Sequence, residues 1–237
     1  MLHNCNIKLG FNLLLLFITF HSFAQTNYPT RDSVHIFWQS ETKLTYEDFK
    51  GDTIGGKHKD SYKRVGLQAM SYIGLWSILD VPKKKKDRGK KLEKVYIAPA
   101  FDMTASYILT HDTTQTTIQQ LYFDIAETWA RWARQRLSNY QDSLKGYGAL
   151  YIMYTTVLKE ARAGHQQMND AYTKDVIVNN KADAFNKWKK IIYDKLQETS
   201  SWATKQEDCY RFIINRPIEA GYEKSPTVLG AIPDSTK

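Results

Sequence analysis

Asp124 and Glu127 are two carboxylates, three residues apart, that come closest in this chain to a catalytic pair. Paired carboxylates can divide general acid and base roles, since one holds a proton while the other accepts one. His111 and Asp112 precede the same helical pattern, and the pKa of a histidine near a helix N-terminus can be tuned. At helical spacing, however, carboxylates more often pair with arginines of the same helix. These four residues are therefore candidates for lining a functional cleft.

The element that must position these side chains is a helix beginning at Asp112. Asp112 with Gln115 is an acceptable N-cap arrangement. Apolar and aromatic residues then fall on one helical face with a period of 3.6, namely Ile118, Tyr122, Ile125, Trp129 and Trp132. We expect two further helices, over about Asp142 to Ala171 and Ala182 to Glu198, the last with the apolar stripe Phe185, Trp188, Ile192 and Leu196.

The first half of the chain has the pattern of strands. Val34 to Trp38 alternates, and the runs Val65 to Leu79 and Leu92 to Leu109 are rich in β-branched and aromatic residues, which predicts two paired strands with a charged connection. The predicted fold class is α+β, with an N-terminal antiparallel sheet followed by a helical half. Residues 25–200 are expected to form one domain, and residues 201–237 a partly irregular C-terminal extension marked by prolines.

The helix segment Ile118 to Glu127 resembles the core helix of a secreted bacterial family of unknown function, described as zinc-dependent proteases. That helix has roughly the pattern His-Glu-Gln-x-His-Phe-Asp-Ile-Ala-Glu-x-x-Ala-Arg. The matching positions are Gln120, Phe123 to Glu127, Ala130 and Arg131.

Two other segments resemble the same family in the same order along the chain. Leu44 to Gly51 is similar to the N-terminal signature Leu-Thr-Trp-x-Asp-Phe-x-Gly, with Tyr46 in place of the tryptophan. Phe101 and the pair Ser106-Tyr107 lie where the family has a phenylalanine followed by Ser-Trp. The resemblance implies a zincin-like plan for the predicted α+β fold.

The reactive positions of that family are replaced in this chain. In a zincin helix, histidines at i and i+4 bind one zinc ion, and the glutamate between them activates water. Here the histidine positions are Ile118 and Tyr122, and the glutamate position is Gln119, which cannot accept a proton at neutral pH. The histidine that the resemblance implies as third ligand is Val178. We expect no catalytic residue, no metal site and no cofactor at these positions.

Histidines elsewhere do not restore a local metal site. Those after residue 24 are His35, His58, His111 and His165, and none lies within four residues of another. A site assembled from distant parts of the chain stays open, as does an enzyme that uses His111, Asp112, Asp124 or Glu127 without zinc.

The N-terminus has the parts of a secretory signal. Lys8 is followed by an apolar core from Phe11 to Phe20, and Ser22-Phe23-Ala24 fits a cleavage site, so residues 1–24 are predicted to be removed. We expect a periplasmic or secreted protein with no transmembrane span in the mature chain. Cys209 is then the one remaining cysteine, and a lone thiol of this kind is more often buried than reactive.

The net charge of +8 is concentrated in one basic run between the two long predicted strands. Its cations include Lys83, Lys84, Lys85, Lys86, Arg88, Lys90 and Lys91, and the run extends to Lys94. The common explanation is a solvated loop. The alternative is contact with an anionic surface polymer or with lipid headgroups, whereas no nucleic acid is expected for an exported protein.

The leading functional prediction is an exported pseudo-peptidase that binds a peptide, a protein or an envelope polymer. One alternative is a hydrolase, either a divergent metal-dependent protease or an enzyme with a non-zinc site in the same cleft. A second is an electrostatic binder that uses the run from Lys83 to Lys94. Fold-level analogy alone fixes no ligand.

Overall fold

The computed structural model describes residues 27–51, 68–109 and 112–226. Within them a four-stranded antiparallel sheet is followed by a helical half, which confirms the α+β prediction. The strands are β1 (His35–Phe37), β2 (Ala69–Pro82), β3 (Lys94–Ile108) and β4 (Tyr222–Lys224), in the spatial order β1-β3-β2-β4. The predicted signal segment lies outside the described residues.

The centre of the sheet is the long hairpin of β2 and β3. Its antiparallel pairing runs from Ala69 opposite Ile108 to Asp80 opposite Lys94, with one irregularity between Met70 and Tyr72. This confirms the predicted strand pair, although the strands are shifted by a few residues from the predicted bounds. The basic run forms the connection between the two strands.

The helices are α1 (Thr113–Leu144), α2 (Ala149–Thr173), α3 (Ala184–Glu198) and α4 (Gln206–Ile213). Asp112 is the N-cap of α1, as predicted, and its Oδ1 accepts a hydrogen bond from the Thr114 amide at 2.8 Å. None of the helices in the described ranges is long and apolar enough to cross a membrane.

The predicted start of the second helix at Asp142 is wrong. α1 continues to Leu144, and the chain then turns through Lys145 and Gly148, which have φ angles of 45° and 99°. Both lie in the left-handed region that ends a helix, so α2 begins only at Ala149. The third predicted helix, by contrast, agrees with α3 to within two residues at its start.

α1 packs against both the sheet and α2, and its contact face is built from small residues. Ala126, Ala130 and Ala133 are fully buried in a core cluster with sheet residues such as Leu75 and Ile97. On α2, Gly164 lies directly against the Trp129 ring, so closely that a side chain there would collide with it. Small residues therefore let α1 pack closely on the sheet and let the Trp129 ring lie against α2.

The described part of the predicted C-terminal extension, residues 201–226, belongs to the domain. α4 packs on the sheet, where Cys209 is fully buried, and β4 pairs with β2. Arg211 donates two hydrogen bonds of 2.7 Å to Asp80, and both side chains are fully buried. The sequence assigns this segment to an extension because its partners are far away along the chain, as Asp80 is from Arg211 at a separation of 131 residues.

Candidate functional site

The segments that resemble the protease family contact one another at the start of α1. The Leu44 amide donates a 2.9 Å hydrogen bond to the side-chain oxygen of Gln120. Phe49 packs edge-on against Phe101 at 5.1 Å between ring centres, and Phe101 lies 6.2 Å from Phe123. The resembling residues thus form one packed region.

Gly51 and Ser106, two of the residues that match the family pattern, make contacts that the fold requires. The Gly51 amide donates to the Ser106 carbonyl at 2.8 Å, and a Cβ on Gly51 would lie 2.6 Å from that oxygen. Only glycine permits this approach. The Ser106 hydroxyl also accepts a 2.8 Å hydrogen bond from the Tyr72 amide. These matches therefore have structural roles.

Ile118 and Tyr122, which stand where the protease family has its two histidine ligands, lie in a packed cluster rich in aromatic residues. The Tyr122 hydroxyl lies 2.6 Å from the Thr173 hydroxyl, and the Tyr172 hydroxyl donates to the Ile118 carbonyl at 3.1 Å. The rings of Tyr122 and Tyr172 meet edge-on at 4.6 Å. Burial raises the pKa of both phenols above its ordinary value, so neither is a ready anionic ligand.

Gln119 and Val178 do not lie together at one site. Gln119 is buried, and its amide nitrogen lies 3.5 Å from the Ala69 carbonyl oxygen. Val178 ends a π-helical turn, Lys174–Val178, and is 72% exposed, whereas Val176 packs in the aromatic cluster. The structure brings Ile118 and Tyr122 together but does not bury Val178 beside them.

Among the described residues, no group of three or more histidine, cysteine, aspartate or glutamate side chains could hold a metal ion. His111 lies outside the described residues. Asp112 is exposed at the helix start, where it caps α1.

Asp124 is partly buried and is bound by neutral donors. Its Oδ1 accepts hydrogen bonds from the Trp38 indole at 2.9 Å and from the Gln120 amide at 3.1 Å. Burial raises the pKa of the carboxyl, while these donors and the more distant Lys43 oppose the shift. The carboxylate therefore lacks a direct cationic partner.

Glu127 is fully buried and is neutralised by two arginines. Its Oε1 accepts from Arg131 Nε at 2.8 Å and from Arg134 Nη2 at 3.0 Å. Thr204 donates its amide to Oε1 and its hydroxyl to Oε2, at 2.9 and 2.6 Å. Arg134 also bonds the carbonyls of Ile97 and Trp202. This network joins α1 to β3 and to the segment before α4, so Glu127 is a structural residue.

A groove follows the first half of α1, made of three adjoining hollows of about 340, 360 and 380 Å³. The segment from Lys43 to Tyr46 forms one wall, and α3 forms the other. Neighbouring hollows share residues, Leu44 and Thr116 in one case and Lys43, Leu121, Asp124 and Lys189 in the other. Sequence reasoning did not identify α3 as a wall, because no sequence pattern shows which helices face each other.

A larger cleft of about 480 Å³ lies on another side, between β3, α1 and the start of α4. It contains Asp208, whose carboxyl is buried and whose pKa is raised by that burial to about 6. Asp208 accepts a hydrogen bond of 3.0 Å from the Lys205 amide and so caps α4. Sequence reasoning missed this residue, since burial is its only unusual property.

Searches against protein-family models, curated proteins and solved structures returned no match to this chain. The relation to the protease family therefore stays a prediction that rests on the sequence segments quoted above.

Proposed function

We propose that this protein is a non-catalytic binding module and that its ligand is an extended peptide segment lying in the groove along α1. The observation that supports this most directly is the hydrogen-bonded cluster of Ile118, Tyr122 and Tyr172, which stands beside an open groove where the protease family has its zinc ligands. A helix that keeps its packing residues and lacks its reactive ones is suited to binding rather than hydrolysis.

The groove offers little acid or base chemistry. Asp124 is the one carboxylate shared by its two larger hollows, and no described histidine lines them. Glu127 does not line the groove, since it is buried against Arg131 and Arg134. The third hollow is lined by Asp112, which caps α1. Asp112 and Asp124 line no common hollow, so they are a poor basis for hydrolysis.

The lining favours a peptide with apolar and acidic side chains. Leu121, Phe185 and Leu196 supply apolar contacts. Lys43 and Lys189 are exposed and form no salt bridge among the described residues, whereas Lys190 is paired with Asp194 at 2.6 Å. Because an envelope polysaccharide offers few apolar groups, the lining matches a peptide or a protein segment better.

The binding test is a peptide selection on the immobilised protein, followed by affinity measurement of the selected sequences. We expect the selected peptides to combine apolar and acidic residues. The double variant Lys43→Glu/Lys189→Glu should weaken binding by more than about tenfold. Its matched control is Lys159→Glu/Lys187→Glu, which changes two exposed lysines outside the groove. Equal weakening by both variants would contradict binding in the groove.

The catalytic test measures cleavage of unstructured peptides with and without a zinc chelator, together with zinc content after loading and gel filtration. Cleavage that the chelator abolishes, or near-stoichiometric zinc, would overturn the proposal. We expect neither, and we expect no change in unfolding temperature on chelation.

A hydrolase with a non-zinc site is the second candidate, and Asp208 is the observation that favours it. A carboxyl with a pKa of about 6 in a cleft can exchange protons near neutral pH. If a hydrolytic activity is found that Asp208→Asn removes while Asp124→Asn leaves it unchanged, this candidate is correct.

We also propose that the protein is exported, on the basis of the N-terminal sequence pattern. Mass spectrometry of the protein recovered from its native cell should give Gln25 as the first residue. A recovered chain that still carries residues 1–24 would contradict export by cleavage.

A further inference from the structure

The β2–β3 connection and the turn between α1 and α2 lie side by side at one end of the molecule. The Arg88 guanidinium carbon is 5.5 Å from the centre of the Tyr147 ring. Gln141 donates to the Glu93 carbonyl at 3.0 Å, and the Gly148 amide donates to the Glu93 carboxylate. These contacts join the two segments into one surface, here named the amphiphilic end and defined as residues 83–92 together with 144–152.

The residues around the α1–α2 turn expose several large apolar side chains. Ile152 is 70% exposed and Leu144 is 59% exposed, and Tyr147 and Tyr151 are also exposed. Single exposed apolar residues are common on proteins, but four within nine residues of one turn are a cluster. An apolar cluster of this kind marks a contact surface.

The neighbouring connection contributes positive charge that is not neutralised. Its exposed cations are Lys83, Lys84, Lys85, Lys86, Lys90 and Lys91. None of these lysines forms a salt bridge with a described residue, whereas Arg88 within the run and Lys94 at its end are paired with Glu223 and Glu219. Lys91 lies 5.7 Å from the centre of the Tyr222 ring, and the exposed lysines can contact an anionic partner.

We propose that the amphiphilic end docks on an anionic lipid surface, with the lysines at the headgroups and Ile152 and Leu144 in the outer acyl region. Lysines gain from the negative potential of such a surface, and apolar side chains gain by leaving water. An acidic polysaccharide would satisfy the lysines but would leave the apolar side chains in water. The combination of both properties on one surface favours lipid, independently of any ligand in the α1 groove.

The test is co-flotation of the full chain with vesicles of phosphatidylcholine alone and with vesicles containing about one third phosphatidylglycerol. We expect binding only to the anionic vesicles. Raising the salt from about 0.1 to about 1 M shortens the Debye length from about 10 to about 3 Å and should weaken it. Equal binding to both vesicle types, or to neither, would overturn the proposal.

Two variants separate the charged and apolar contributions. Lys84→Ser/Lys85→Ser/Lys86→Ser should weaken vesicle binding by more than about tenfold and should also reduce retention on heparin. Leu144→Ser/Ile152→Ser should weaken vesicle binding by about tenfold or more and leave heparin retention unchanged. If the apolar variant binds vesicles like the unmodified protein, the surface is a polyanion site and the lipid proposal fails.

Matched controls place similar changes elsewhere on the surface. Lys159→Ser/Lys174→Ser/Lys187→Ser and Val178→Ser/Ile191→Ser alter exposed residues outside the amphiphilic end and should bind vesicles normally. Light scattering provides the remaining check, because it measures whether the protein is a dimer. If the protein is a stable dimer and Leu144→Ser/Ile152→Ser dissociates it, a second copy covers the apolar cluster. That result would overturn lipid docking.

Discussion

Asp124 and Glu127 lie one turn apart on α1, yet their environments are opposite. Glu127 is fully buried against two arginines and Thr204, whereas Asp124 lines a groove and is bound only by neutral donors. The role of Glu127 is therefore to stabilise the fold. Asp124 keeps a charge that burial disfavours and that no neighbouring cation balances directly.

The same contrast extends to the rest of the molecule. Asp80 and Arg211 form a bidentate pair with no exposed surface, in the manner of Glu127. Lys43 and Lys189 are exposed at the groove and make no salt bridge with a described residue, in the manner of Asp124. Buried charges here hold distant segments together, and the unpaired charges lie where a ligand could reach them. Replacement of each carboxylate by its isosteric amide tests this division.

The largest effect is expected for Asp80→Asn. It would leave the Arg211 guanidinium buried without an anion, and Arg211 Nη1 already has no partner among the described residues. Breaking a buried pair of this kind costs about 4 kcal/mol of unfolding free energy. Urea unfolding measures it, and a loss below about 1 kcal/mol would mean that the pair contributes no more than a surface salt bridge.

Glu127→Gln should have the next largest effect, a loss of about 3 kcal/mol. The amide oxygen can still accept from Arg131 or Thr204, but the buried Arg131 and the partly buried Arg134 lose their shared carboxylate countercharge. Chemical denaturation provides the measurement. If the variant unfolds at the same denaturant concentration as the unmodified protein, the network is not a stabilising element.

His165 should make the free energy of unfolding depend on pH, with a change of about 2 kcal/mol. Burial lowers the pKa of this imidazole to about 4, below its ordinary value of 6.5. Between those two values the unfolded chain binds a proton that the folded chain does not, so stability falls as the pH is lowered through that range.

The variant His165→Gln should flatten this fall, which unfolding measured near pH 7 and near pH 4.5 would show. Other groups titrate in both proteins and cancel in the difference. An identical pH slope for the two proteins would mean that His165 binds its proton equally well in the folded state.

The smallest effect on stability, and one of opposite sign, is expected for Asp124→Asn. An asparagine oxygen can keep the hydrogen bonds from Trp38 and Gln120. Because burial raises the pKa of Asp124, its ionised form is less favourable in the folded state, and the variant should be unchanged or more stable by less than about 1 kcal/mol at pH 7. A loss above about 2 kcal/mol would place Asp124 in the same class as Glu127.

Local patterns in the sequence predicted the elements that depend on local chemistry. The period of the apolar residues and the cap at Asp112 predicted α1, and the β-branched runs predicted the β2–β3 hairpin. The turn at Lys145 was missed because a lysine in the left-handed region leaves no sequence signal. The π-helical turn after Thr173 was also missed. Its Asp175 accepts a hydrogen bond from the Trp188 indole of α3, a contact that the sequence does not show.

The features that depend on distant partners could not be predicted. Glu127 and its arginines are visible in the sequence as neighbours on a helix, but Thr204, which completes the network, is 77 residues away. Asp208 has an ordinary sequence context, and its pKa is raised mainly by burial, with a smaller contribution from the charge of Glu207. The proposed groove likewise exists only because α3 lies beside α1.

The strand order has a consequence for how the chain folds. β1 and β4 form opposite edges of the sheet, and the Asp80 carboxylate in its interior finds Arg211 only after a separation of 131 residues. Contacts between residues so far apart in sequence make folding slow. A growing chain that ends before Arg211 would have to bury Asp80 alone, so we expect it to stay open until α4 is synthesised. Pulse proteolysis of chains truncated at residues 200 and 226 would show this, with protection confined to the longer one.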